Sequence, residues 1–204
     1  YTEDIYVGYR YFCTFAREKV LYPFGFGLSY TSFAHTDFGV EKKEDVVTVF
    51  LTVTNTGAYA GKEVVQIYLQ APQGKLGKPE RVLATYAKTK ALAPRESQKL
   101  TMTFALSDFA SFDDLGETGH ENCFVLEQGE YGVCVSTDAM TDVHRASFRL
   151  EEDIVVRQCV SAMWPVEDFE RMKPVKNGEK YQVSFQRITG RPNDLRAKID
   201  AGAP

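Results

Sequence analysis

The run Val46-Val-Thr-Val-Phe-Leu-Thr-Val-Thr54 decides the fold. Its side chains alternate with a period of two, so Val47, Val49, Leu51 and Val53 share one face and Thr48, Phe50, Thr52 and Thr54 take the other. β-Branched residues dominate, and they suit a pleated, half-buried surface better than a helix, where they lose χ1 freedom. The same pattern repeats outward from this run. Asn55-Thr-Gly57 and Gly61 mark a turn. Residues 62–70 form the next strand, with Val65, Ile67 and Leu69 opposite Val64, Gln66, Tyr68 and Gln70. Residues 71–79 have loop composition. Residues 81–92 are a third strand region, broken by Ala93-Pro94, and residues 99–106 set Leu100, Met102, Phe104 and Leu106 on one face. A single helical turn is expected over 107–112, capped by Ser107 or Asp108. A polar loop over 113–122 follows. Residues 123–126 and 130–136 read as a pair turning at Gln128-Gly129, and Ala146, Phe148 and Leu150 give a last alternation. Many short strands separated by turn signals predict a mainly β protein built as an antiparallel sandwich.

N-terminal to the sandwich lies a different text. Ile5, Val7, Tyr9 and Tyr11 alternate and predict a buried-edge strand, with Arg10 as its one charge. Arg10 is read as a surface or interdomain ion pair; the competing reading turns it toward an active site in a missing partner. Then comes Val20-Leu-Tyr-Pro-Phe-Gly-Phe-Gly-Leu-Ser-Tyr-Thr-Ser-Phe33. Pro23 restricts the backbone before and at its own position, and so many large apolar groups are unsuited to a solvated loop. The segment is expected to be a buried connector. Tyr22, Phe24, Phe26 and Tyr30 are read as interdomain packing, against an alternative in which their faces stack on sugar rings.

These residues carry a resemblance. Tyr1 to Phe12, with Val-Gly-Tyr-Arg at its centre, followed by Tyr-Pro-Phe-Gly-Phe-Gly-Leu-Ser-Tyr-Thr-Ser-Phe over 22–33, closely resembles glycoside hydrolase family 3, which includes β-glucosidases and β-xylosidases. Gly61-Lys-Glu-Val-Val-Gln-Ile-Tyr-Leu69, Leu92-Ala-Pro-Arg-Glu-Ser97 and Gln128-Gly-Glu-Tyr-Gly-Val-Cys-Val-Ser136 are similar, in the same order, to motifs of that family's fibronectin type III-like domain. The resemblance spans roughly residues 1–150. It implies three parts: 1–33 as the end of an α/β-sandwich domain and its connector, 34–150 as the fibronectin type III-like domain, and 151–204 as a C-terminal extension or link to a following domain. Two positions depart from the family pattern. Arg95 stands where glycine is usual, so that turn is expected to differ, and no tryptophan lies between Asp113 and Gly129, where Phe124 is expected to fill the space.

In the 151–204 tail a short helix is expected over 167–172, a strand over 181–188 and a further helix after Pro192. Nothing in it would bury a core alone, so much of it is expected to be mobile.

Chemistry is harder to place. A retaining glycosidase needs two carboxylates about 5–5.5 Å apart. The family's nucleophilic aspartate typically lies in a Ser-Asp-Trp motif, and the one tryptophan here, Trp164, sits in Ala-Met-Trp-Pro. The resemblance puts the acid/base glutamate upstream of the elements present. No catalytic, cofactor-binding or metal-binding residue is therefore assigned. Glu41, Glu44 and Asp45, and Glu151, Glu152 and Asp153, read as solvated faces. His120, Cys123, Cys134 and His144 follow no tight zinc spacing. Residues 75–81 are the candidate for a loop reaching an active-site rim.

The 204 residues are 44% hydrophobic, with a net charge of −4. That balance, with no basic block, argues against nucleic acid, and no run reaches transmembrane length. The expected partners are the catalytic domains of the same parent chain, with carbohydrate met only through them; homo-oligomerisation is left open. The start at Tyr1, without methionine, reads as a piece of something longer. Cys13, Cys123, Cys134 and Cys159 follow no small secreted scaffold, so reduced thiols and a cytoplasmic setting are expected, with secretion the alternative.

Overall fold

A computed structural model describes residues 3–161, 164–178 and 180–191. Two antiparallel sheets face one another. One carries β1 (Phe33–Lys43), β2 (Val46–Asn55) and β5 (Ser97–Ala105) in the order β1-β2-β5. The other carries β3 (Val64–Gln70), β4 (Val82–Lys88), β8 (Gly129–Asp138) and β9 (Thr141–Leu150) in the order β4-β3-β8-β9. Between them lies the core that the alternation predicts. Val47, Val49, Leu51 and Val53 are wholly buried, and they meet Leu100, Met102 and Phe104 of β5 and Val65, Ile67 and Leu69 of β3. The register sets Val49 opposite Met102 and Leu51 opposite Leu100. A slip by one residue would turn every one of these side chains to water.

One buried polar side chain ties the end of this core together. Asn55 closes β2 and is fully buried. Its amide donates to the Tyr59 and Leu92 carbonyls at 2.7 and 2.8 Å, and its Oδ1 accepts from Thr31 Oγ1 and the Gly57 amide at 2.6 and 3.0 Å. All four of its hydrogen-bonding positions are used. The neighbouring turn, where Arg95 stands in place of the family's usual glycine, is tied to the same residue. Arg95 adopts the left-handed conformation at φ 68 that glycine takes freely, and its N–H reaches the Asn55 carbonyl at 2.8 Å.

Several expectations are corrected. Residues 9–15 form a helix, α1 (Tyr9–Phe15), not a strand. The alternation was too short to separate two periods: Tyr6, Cys13 and Ala16 are buried and Tyr9 half-buried, a helical spacing from 9 to 16. β7 (Cys123–Leu126) does not pair with β8. It joins β6 (Ser111–Asp113) and β10 (Ile154–Gln158) in a small sheet, and the chain crosses between sheets at Glu127-Gln128. The turn over Leu106–Phe109 is 3₁₀ and has no cap of its own. The Asp45 carboxylate supplies the bonds instead, accepting from Ser107 N and Oγ at 2.8 and 2.6 Å.

The tail also differs. Its helix over 167–172 is replaced by β11 (Phe169–Asn177), paired in register with β12 (Lys180–Ile188), the strand expected there. Far from being unstructured, the described part of the hairpin docks on the sandwich through ions. Arg171 grips Asp114 at 2.9 and 2.5 Å and reaches Asp4 at 3.4 Å, while Lys173 and Gln186 both reach Glu117 at 2.6 Å. The helix expected after Pro192 lies outside the described residues.

Asn55→Ala is expected to destabilise the sandwich by about 2–3 kcal/mol, because it removes the four hydrogen bonds this buried side chain makes and leaves a gap. Arg95→Gly, by relieving a left-handed non-glycine residue, is expected to stabilise it by about 0.5–1 kcal/mol. Urea unfolding midpoints moving in opposite directions check both.

Candidate functional site

Strand β3 is buried on both faces. Val65, Ile67 and Leu69 enter the core, while Gln66 and Tyr68 point the other way and are buried too. What covers them is the N-terminal segment. The Tyr9 ring meets Tyr68 edge-on at 5.9 Å, and its hydroxyl accepts from the Leu83 amide at 2.8 Å. The Thr14 hydroxyl donates to the Arg10 carbonyl and accepts from the Glu80 amide at 2.9 Å. Cys13 and Cys134 are both buried against Tyr68 and Ala139, and burial pushes each thiol up to about 11. Neither is poised as a nucleophile.

The connector follows over the same sheet face. The Phe24 carbonyl accepts from the Ala139 amide at 2.8 Å, and the Phe24 ring stacks on Tyr9 at 5.1 Å. Gly25, at φ 88, sits so close to Gln66 that a Cβ would fall 2.3 Å from its side-chain amide nitrogen. Beyond that anchor, the expectation of a buried connector fails within this chain. Leu28 is 91% exposed, Tyr30 97% and Tyr22 74%, with Phe24 and Phe26 about half exposed. The described residues offer one surface for the segment to lie on, and among them its other side, an aromatic strip, has no partner.

The loop expected at an active-site rim is held inward. Lys78 is buried and ion-paired with buried Glu127, whose carboxylate also accepts from the Lys75 amide at 2.6 Å. Arg81, also buried, grips Asp142 at 2.6 and 3.0 Å and lies 5.6 Å from the Tyr68 ring centre. Burial pushes the Asp142 carboxyl up, but the bonds from Arg81 and Ser136 outweigh it and hold it below the usual carboxylate range. Lys75 alone of the loop's three cations is exposed.

The remaining candidates are scattered. His144 bonds the His35 carbonyl and stacks on Phe38, Cys123 contacts Gln158, and Cys134 is on the outer face of β8. Asp45 and Asp153 serve backbone amides. Phe124 packs on Phe112 at 5.1 Å beneath the Arg157 guanidinium. Local pattern marked none of the buried carboxylates Glu127, Asp113 and the half-buried Asp142 as important. Their partners are far along the chain or, for Asp113, backbone amides of its own loop at Glu117 and Thr118.

This architecture is that of a fibronectin type III-like sandwich with a helix and an aromatic segment docked on one face, and the model of the fibronectin type III-like domain matches residues 63–139. The chain is 46% identical over 182 residues to a β-glucosidase of Ruminococcus albus, covering 89% of this chain and 19% of that protein. It is 45% identical to β-glucosidase A of Butyrivibrio fibrisolvens, covering 84% and 23%. Among solved structures, a β-glucosidase from Paenibacillus barengoltzii superposes with a TM-score of 0.89 at 43% identity, over 98% of this chain and 23% of that one. β-Glucosidase 3B from Thermotoga neapolitana, in complex with α-D-glucose, gives 0.69 at 38% identity, over 76% and 20%. The chain belongs to glycoside hydrolase family 3 and matches a fibronectin type III-like portion of that family's β-glucosidases. It spans about a fifth of the length of these relatives.

Glu127→Ala, which leaves Lys78 buried without its partner, is expected to cost about 3–5 kcal/mol; Glu127→Leu combined with Lys78→Met is expected to recover part of it, the Lys75 amide still losing its acceptor. Urea denaturation of the three proteins checks the pair.

Proposed function

We propose that this chain is the non-catalytic bracing part of a larger family 3 β-glucosidase. In this reading residues 1–33 end an α/β-sandwich domain, 34–150 are the fibronectin type III-like domain and 151–204 are an extension. The parent hydrolyses terminal β-linked glucose or a similar sugar by retaining double displacement. Its two carboxylates lie elsewhere in the parent, and that chemistry calls for no metal or organic cofactor. The observation that carries the reading is the aromatic strip. Phe24 is anchored on Tyr9 and Tyr22 packs against Phe26, while Leu28 and Tyr30 stand almost wholly bare. An apolar patch of this kind marks an interaction surface. The relatives supply what would cover it, since four-fifths of their length lies outside the matched region. Each side chain so covered would contribute on the order of 1.5–3 kcal/mol if it became fully buried. The buried free thiols Cys13 and Cys134 support a reducing, cytoplasmic setting.

A second reading, a free-standing module that stacks sugars on the same rings, is favoured by their exposure alone. Two measurements separate the readings. The chain by itself is expected neither to cleave aryl β-glucosides nor to bind gluco-oligosaccharides in calorimetry. Turnover lost on changing one carboxylate would overturn the bracing role, and saturable sugar binding would favour the module. In the intact parent, Phe24→Ala with Phe26→Ala is expected to lower the melting temperature and to expose the connector to protease. An unchanged melting profile would show that these rings are not the anchor.

A further inference from the structure

A second, smaller feature lies on the N-terminal side of the sandwich. Where the segment before α1 meets the ends of β3 and β4 and the 3₁₀ turn, a notch of about 210 Å³ remains open. Ile5, Leu69, Val82 and Phe109 make its walls. Its charged groups are Arg10, Asp108 and Lys78. Lys78 is committed to Glu127. Arg10 is half-buried and forms no ion pair among the described residues, and neither does the exposed Asp108.

This combination specifies an occupant. The walls accept one large apolar side chain. A guanidinium that becomes more deeply covered needs a carboxylate, because an unpaired charge out of water is strongly unfavourable. Its planar fork of donors matches a carboxylate's two oxygens. Asp108, on the other side, is suited to a backbone N–H or a cation.

We infer that the notch is a socket for a segment of the parent chain outside these 204 residues, in which a large apolar side chain stands beside an aspartate or glutamate that pairs with Arg10. The inference rests on the bracing role proposed above. The occupant is assigned to the parent because about four-fifths of the relatives' length lies outside the matched region, and because Arg10 belongs to the segment that resembles the end of the neighbouring domain. The socket differs from the aromatic strip in being charged, so it sets register where the strip supplies area.

The test uses the intact parent. A photo-crosslinking amino acid is placed at Asp108, and the adduct is mapped by mass spectrometry. Attachment to a segment outside residues 1–204 of the same polypeptide, holding an apolar residue next to an acid, is the expected result. Adducts confined to residues 1–204, adducts to a second copy, or no adduct would overturn the inference. In parallel, Arg10→Glu is expected to lower the melting temperature of the parent by several degrees while leaving that of the 204-residue chain nearly unchanged. Equal shifts in the two would mean that Arg10 acts only within this chain. If the Phe24/Phe26 changes loosen the parent and Arg10→Glu does not, the socket fails and the bracing role stands. If neither loosens it, or the native product is no longer than this chain, both fail.

Discussion

The structure depends on one strand being buried from both sides. A sandwich strand ordinarily gives one face to the core and the other to water. In β3 the second face carries Gln66 and Tyr68, and neither sees solvent. The Tyr68 hydroxyl donates to Gln66 Oε1 at 2.7 Å, and Gln66 Nε2 donates to the Thr137 carbonyl at 2.9 Å, so both polar groups are satisfied without water. That condition holds only while α1 and the connector stay docked. Removing them would expose Tyr68, the Cys134 thiol and the hydrogen-bonded Gln66 amide at once. The sandwich and its N-terminal segment are therefore one folding unit, even though their patterns read as two.

Buried ions reinforce that seat. Lys78–Glu127 holds the loop below α1, and Arg81–Asp142 lies directly behind Tyr68. Pairs of this kind contribute little net stability, because desolvation offsets the attraction. Their effect is geometric: neither partner can leave without stranding the other, so the loop has one position. The same loop contacts α1 and the turn after it through Glu80, which bonds Thr14 by its amide and Arg17 by its carboxylate. A rigid seat fixes where the aromatic segment emerges from the sandwich.

The hairpin β11–β12 works by a different balance. Its ties to Asp4, Asp114 and Glu117 are half-exposed ion pairs, open to screening by salt. Arg171 contacts residues 4 and 114 together, so the hairpin joins the N-terminal segment to the loop between β6 and β7. The superposition with the Paenibacillus β-glucosidase extends over 98% of the chain. A hairpin in this position is thus compatible with a complete enzyme of the family.

The alternation of Val47 to Val53 and of Leu100 to Leu106 determined the sandwich and most of its core, because a period of two admits only one buried face. The ordered motifs around Tyr22–Phe33 and Gly61–Ser136 determined the family. Local pattern could not distinguish helix from strand over residues 5–11, where a few apolar positions satisfy either period. It could not assign the partner of β7, because a turn-like Gln128-Gly129 serves a hairpin and a sheet crossing equally. It could not find Glu127 or Asp142, whose importance lies in cations 49 and 61 residues distant. It marked the connector as apolar but not which side is covered. Burial is a property of what lies nearby in space, and only the tertiary structure shows that the described residues hold this segment at Phe24 and leave Leu28 and Tyr30 bare.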